Sequence, residues 1–202
     1  SIGCELPDSQ RATIVSVLTQ RLALRVRGTR FKPRNLVELP VRAMQEVDLL
    51  WSVCSGLSFA NPVQGKLVQL WHLRRALALG ERRRVAMALA LEVGYLTSSG
   101  IAAQPRAEKM GARALEVAIE AGDEFVIGLV EACAGLSDFL IGRWTRADQR
   151  MKAGLRRMRD HGVGGRWELD LTELFYLSNL FYCGQLRELA RLAPITLREA
   201  ED

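Results

Sequence analysis

The sequence predicts an all-α fold, a right-handed solenoid of antiparallel helix pairs. Three observations predict it. Two ladders of glycine share one spacing, small and apolar residues step by three and four between the rungs, and no segment sustains the period-two alternation of a strand. Gly80, Gly122 and Gly164 stand 42 residues apart, and so do Gly100, Gly142 and Gly184. A period near 40 fits a repeat of two helices and their turns. Glycine suits such turns because helices commonly end on a left-handed residue, which a Cβ disfavours.

The elements follow in order. Asp8 and Ser9 are capping candidates for a leading helix near 9–27. Gly28 and Pro33 then interrupt helix within RVRGTRFKPR (Arg25 to Arg34), which reads as a loop. Residues 1–38 are thus a leading helix with a basic loop, and 39–202 are one continuous array of about four helix pairs. Its blocks run roughly 39–80, 81–122, 123–164 and 165–202, and in the first Ser58 stands where the others have glycine.

Within the blocks, Val85, Leu89, Val93 and Leu96 mark one first helix, and Leu129, Cys133, Leu136 and Leu140 the next. Ala107, Met110, Gly111, Ala114, Ala118 and Ala121 form a small-residue face on a second helix, echoed by Ala147, Met151, Gly154, Leu155 and Met158. Gly111 and Gly154 are expected to let neighbouring helices approach closely. In GRWTRAD, Gly142 closes one helix, Thr145 is placed to cap the next, and Asp148 falls at its third position, where an acid favours the positive helix end. Leu89, Leu129 and Leu155 are expected in helix–helix contacts.

With 202 residues, 49% of them hydrophobic, the chain can bury a substantial core. Its 28 basic and 23 acidic residues give a net charge of +5, well below the dense positive charge of a dedicated nucleic-acid binder. The apolar runs fall far short of the ~20 residues of a membrane helix, so a soluble protein is expected. Cys4, Cys54, Cys133 and Cys183 are widely separated, which suits reduced, partly buried thiols and a cytoplasmic location. The chain starts Ser-Ile-Gly and stops at LREAED still in a helical pattern, so a piece of a longer protein is expected.

The residues that could carry chemistry do not assemble into a motif. Glu168 and Asp170 are two apart at a helix start, point to different faces, and suit the helix dipole instead. His72 and His161 read as cations late in second helices, beside basic residues. Gly65-Lys66 lacks both the earlier glycine and the following Ser or Thr of a P-loop. Gly162-Val163-Gly164-Gly165 follows a helix rather than a strand, which excludes the dinucleotide fingerprint. Asp138-Phe139-Leu140 and Arg159-Asp160-His161 depart from the kinase motifs they superficially echo. No catalytic residue, metal or cofactor is expected in this segment.

Charge leaves one candidate. In RVRGTRFKPR five of ten residues are basic and none is acidic, so a loop there could offer Arg27, Arg30, Lys32 and Arg34 to an acidic protein surface. Duplex DNA is expected to bind weakly there, through phosphate contacts without base readout. A second run, Arg143, Arg146, Arg150, Lys152, Arg156, Arg157 and Arg159, reads as a solvated helix face, with Asp148 its sole acid within GRWTRADQRMKAGLRRMR.

From about Val47 onward, the segments VDLLWSVCSGLSFAN, QLWHLRRALALGERRRVAMALALEVGYLTSSG, FLIGRW and GGRWELDLTELFYLSNLFYCGQLRELARLAP carry a resemblance. The most specific part is W-E-L-D, an aromatic helix, and Leu186, Leu189, Leu192 and Pro194. The chain resembles the tetratricopeptide-like C-terminal region of large bacterial serine/threonine protein kinases that also carry an ATPase-like module. The resemblance implies an ATP-dependent kinase as parent and a non-catalytic protein-interaction or regulatory segment here, its partner a separate protein or other domains of the same chain. The alternative is the helical-repeat segment of an ATPase-coupled transcription regulator associated with nucleic acid. The period of 42 departs from the 34 of the common tetratricopeptide repeat.

Overall fold

A computed structural model describes residues 5–161 and 165–201. Gly164, a rung of the first glycine ladder, and Cys4 lie outside the described residues, as does most of the Gly162–Gly165 run. Nine α-helices occur among the described residues and no strand. They are α1 (Gln10–Arg27), α2 (Val41–Ala60), α3 (Pro62–Leu79), α4 (Arg82–Thr97), α5 (Gln104–Ala121), α6 (Glu124–Leu140), α7 (Trp144–His161), α8 (Arg166–Tyr182) and α9 (Leu186–Glu201). The chain divides into two compact units, Ser1–Glu92 and Val93–Asp202, with the boundary inside α4.

In the first unit, the Ser9 side chain accepts from the Ala12 amide at 3.2 Å and starts α1. This helix packs on α3 through Thr13, Val17 and Leu24. The α2–α3 turn takes a single residue. Asn61 donates its own amide to Leu57 O at 2.9 Å, ending α2. Its side chain accepts from the Gln64 amide at 3.2 Å, and Pro62 takes the first helical position. Ser58, expected to replace the turn glycine, instead lies inside α2 and donates its hydroxyl to Ser55 O at 2.6 Å. An Asn-Pro pair supplies stop and start together, so no glycine is needed. Leu50, Cys54 and Val68 form the core here, with Leu57, Trp71 and Leu91 packed around them.

Two buried polar side chains of this unit, Gln69 and His72, pair with each other. The Gln69 side-chain amide donates to Ala88 O at 2.8 Å, bridging α3 to α4, and its Oε1 lies 3.2 Å from His72 Nδ1. His72 is therefore an interior residue in the middle of α3, 1% exposed, and not the terminal cation expected.

In the second unit the glycine turns repeat in detail. Gly142 donates to Phe139 O at 3.0 Å and Arg143 to Asp138 O at 2.9 Å; 42 residues on, Gly184 donates to Phe181 O at 3.0 Å and Gln185 to Leu180 O at 2.9 Å. Both glycines have positive φ, 79° and 68°. This closure satisfies the last carbonyls of one helix and lets the next begin at once. The Arg143 carbonyl accepts from the Ala147 amide at 2.9 Å, so α7 starts at Trp144 and Thr145 sits inside the first turn rather than capping it.

Helix α6 contacts α5, α7 and α8. Its crossing with α7 is set by glycine. A Cβ on Gly154 would stand 2.6 Å from Gly128 O and 2.9 Å from Ala132 N; one on Gly135 would meet Met151 Cγ at 2.7 Å. The expectation for Gly154 is met, while Gly111 meets only Val93 Cγ2 at 3.7 Å, an ordinary contact. The α6 face rotates accordingly. Gly128, Leu129, Ala132 and Gly135 are buried, Cys133 and Leu136 are partly covered, and Leu140 is 46% exposed. Leu89, Leu129 and Leu155 are all buried, at 0%, 4% and 4% exposure.

Alanine at Gly154 must push backbone against backbone, whereas alanine at Gly111 adds helix propensity without a clash. Equilibrium unfolding is expected to show Gly154→Ala destabilised by about 1–3 kcal/mol and Gly111→Ala unchanged or stabilised by up to about 1 kcal/mol. Equal effects would contradict the close α6–α7 crossing.

Candidate functional site

A helix that buries one face against its neighbour ordinarily shows water a polar one. Helix α1 does not. Behind the buried Thr13, Val17 and Leu24, it exposes Ile14, Leu18, Leu22 and Val26, four residues each four apart, with Val15 alongside. Exposure rises along the row from 44% at Ile14 to 84% at Val26. Steps of four place these side chains in a row inclined by about 26° to the helix axis, a ridge that winds slowly around α1. Contiguous exposed apolar surface of this kind marks an interaction site more often than a solvated face.

The charges around the ridge are of one sign. No Asp or Glu occurs from Ser9 to Val37, while Arg11, Arg21, Arg25, Arg27, Arg30, Lys32 and Arg34 do. Arg21 faces inward, 3.1 Å from the buried Glu92. The other six are exposed, and among the described residues none of them has an ion-pair partner.

The basic loop is shaped by its backbone. Gly28, at φ 71°, closes α1 by donating to Leu24 O at 2.8 Å. Arg27 Nη1 donates to the carbonyls of Gly28 and Arg30 at 3.2 and 3.3 Å, curling the loop on itself. The Arg34 amide donates to Gly80 O at 3.0 Å, and a Cβ on Gly80 would stand only 2.3 Å from Lys32 O. Gly80 is thus required twice, for its φ of 81° and for the passage of the loop. With the backbone pinned, the side chains of Arg30, Lys32 and Arg34 face outward. The structure gathers the four candidate residues Arg27, Arg30, Lys32 and Arg34 at the C-terminal end of the apolar ridge.

The other candidates fall elsewhere. Glu168 lies in the first turn of α8, and Asp170 accepts from Arg166 Nε at 2.8 Å, so the two do not converge. His161 ends α7 and is exposed. The second basic run is not a free solvated face. Arg150 Nη1 lies 2.9 Å from Asp138 Oδ2, Arg143 Nη1 2.8 Å from Glu108 Oε1, and Arg159 Nη2 2.6 Å from Glu173 Oε1, and Arg157 pairs with Glu124. Its carboxylate partners come from α5, α6 and α8, beyond the reach of a local reading. Among the described residues no group of three His, Cys, Asp or Glu could hold a metal ion, and no helix is long and apolar enough to cross a membrane.

Comparison with protein-family models, curated proteins and solved structures finds no match to this chain.

Burial pushes His72 down from 6.5 to about 4, against a partial opposing pull from Asp48. The unfolded chain therefore takes up this proton first. The contribution of neutral His72 is complete above about pH 6.5 and is lost as pH falls toward 4, by up to about 3 kcal/mol. NMR titration is expected to leave the His72 ring unprotonated at pH 5.5; a ring titrating near 6.5 would contradict its burial against Gln69 and Trp51.

Proposed function

We propose that this chain is a non-catalytic protein-interaction scaffold, and that it docks a partner on the outer ridge of α1 and the basic loop that follows. The observation that carries this reading is the exposed row Ile14, Leu18, Leu22 and Val26, bounded by arginines and a lysine in a stretch without an acid. An apolar row at spacing four fits between the rows of a second helix, a common way for helices to cross. The occupant is an amphipathic helix of a partner protein, with an apolar stripe and acidic flanks. Its stripe covers the ridge while its carboxylates meet Arg11 and Arg25 along α1 and Arg27, Arg30, Lys32 and Arg34 at the loop. The charges steer and orient; burial of the ridge supplies affinity.

The resemblance from Val47 onward supports placing this scaffold in a bacterial serine/threonine kinase signalling protein that acts in the cytoplasm. The partner helix then belongs to another domain of the same chain or to a protein that the kinase regulates. Nucleic acid is the less favoured occupant, because phosphates would engage the arginines and leave the apolar ridge in water.

The test uses the full chain and a synthetic helix with a leucine row flanked by glutamates, followed by calorimetry. Leu18→Ser with Leu22→Ser removes the ridge at two exposed positions, and serine at Arg27, Arg30, Lys32 and Arg34 removes the charge. Helicity is expected to hold in both. The ridge variant should weaken binding by about tenfold or more, and the charge variant should remove most of the salt dependence. Equal affinity of wild type and ridge variant, a scrambled peptide binding as well, or preferential binding to anionic vesicles or duplex DNA would overturn the proposal.

A further inference from the structure

A second apolar row lies on α8, in the second unit, and shares no residue with the α1 ridge. Among the residues of α8, Arg166, Trp167, Leu174, Phe181 and Tyr182 are exposed. Trp167, Leu174 and Phe181 stand seven apart and are 50%, 54% and 62% exposed. Leu171 and Ser178, partly covered, fill the positions between them. The steps alternate four and three, the spacing at which one helix meets another along a seam.

One repeat earlier, the same face is covered. Forty-two residues back, these positions are Phe125, Ala132 and Phe139 of α6. Phe125 and Ala132 are buried, and the helices that follow supply the cover. Gly154 of α7 lies against Ala132, and Gly165 at the start of α8 lies against Phe125. Phe139 packs its ring on Phe175 and Tyr182, with centroids 6.0 and 5.6 Å away. Tyr182 in turn meets Phe181 at 5.8 Å, so the α6–α8 aromatic contact runs out to the surface at the end of the exposed row.

Charge and symmetry select the occupant. Arg166 is the charged member of the exposed set, and its Nε is held by Asp170 Oδ1 at 2.8 Å. Ser178 donates its hydroxyl to Leu174 O at 2.8 Å, so it brings no unsatisfied donor to a contact. The row therefore has nothing to repel its own copy, whereas the uniformly basic border of the α1 ridge would repel a second such border. Trp167 and Phe181 lie equally far from Leu174, about 10 Å along the axis on either side. A two-fold axis at Leu174 sets this residue against its own copy, and Trp167 of each chain level with Phe181 of the other. Such self-complementarity is what a closed dimer requires.

Area sets the strength. Trp167, Phe181 and Tyr182, each about half exposed, offer together with Leu174 roughly 400 Å² per copy. Two copies with their flanks then bury about 1,000 Å², the size of a weak, reversible contact. We infer that this chain self-associates as an antiparallel two-fold dimer through the outer row of α8.

Sedimentation equilibrium of the full chain tests this, and a reversible monomer–dimer equilibrium is expected. Leu174→Arg and Leu174→Glu each put like charges on the axis, and each should weaken the dimer by about tenfold or more. Leu174 is exposed, so both variants should keep the melting temperature of dilute wild type. Mixed, the two should associate more tightly than either alone, because position 174 of one copy faces position 174 of the other. Leu18→Ser with Leu22→Ser should leave the dimer unchanged. The inference is overturned if the wild type stays monomeric up to about 1 mM, which would leave the row to a helix of another protein. It is equally overturned if Leu174→Arg dimerises like wild type, if mixing the charge variants gains nothing, or if only the α1 variant loses the dimer.

Discussion

The left-handed turn is the constraint from which the rest of this structure follows. Gly80, Gly100, Gly122, Gly142 and Gly184 all take positive φ, where a Cβ costs energy and glycine does not. At Gly142 and Gly184 the same pair of hydrogen bonds closes the helix, so α6 and α7, and then α8 and α9, are joined by only three residues. Contacting helices with so short a connection must run antiparallel. The turns fix helix length, and helix length fixes which faces meet.

What the faces do depends on side-chain size and charge. At the α6–α7 crossing, Gly128, Gly135 and Gly154 bring backbone to within a distance that alanine would not allow. That proximity places the start of α7 beside the buried Asp138 and aligns Arg146 and Arg150. At α1, by contrast, only one face is covered, and the remaining apolar row has no partner within its unit. One set of packing rules thus yields a closed, ion-paired wall at α7 and an open apolar ridge at α1.

Much of this was legible from residue type. The glycine ladder announced its turns because positive φ is so strongly tied to glycine, and Ser9 announced a helix start because its hydroxyl replaces a missing backbone partner. Other features depended on distant residues. The partners of Arg143 and Arg150 lie 35 and 12 residues away, so a local count made a paired face look solvated. His72 is made neutral by its surroundings, Gln69 and Trp51, and not by its place in the chain. Thr145 and Ser58 are residue types that suit helix ends, yet backbone closure at Arg143 and the Asn61-Pro62 pair fill those roles instead. The α1 ridge was present in the spacing of Ile14, Leu18, Leu22 and Val26, but only the packing on α3 shows that this is the uncovered face.

The most direct test of the turn constraint compares two glycines with open surroundings. A Cβ at Gly142 or at Gly56 meets nothing within 4 Å, but Gly142 sits in a turn at φ +79° and Gly56 lies inside α2. Only backbone conformation separates them. Equilibrium denaturation should show Gly142→Ala destabilised by about 1–2 kcal/mol and Gly56→Ala stabilised by up to about 1 kcal/mol. Shifts of the same sign, or no loss at Gly142, would contradict the claim that left-handed glycines dictate where these helices end.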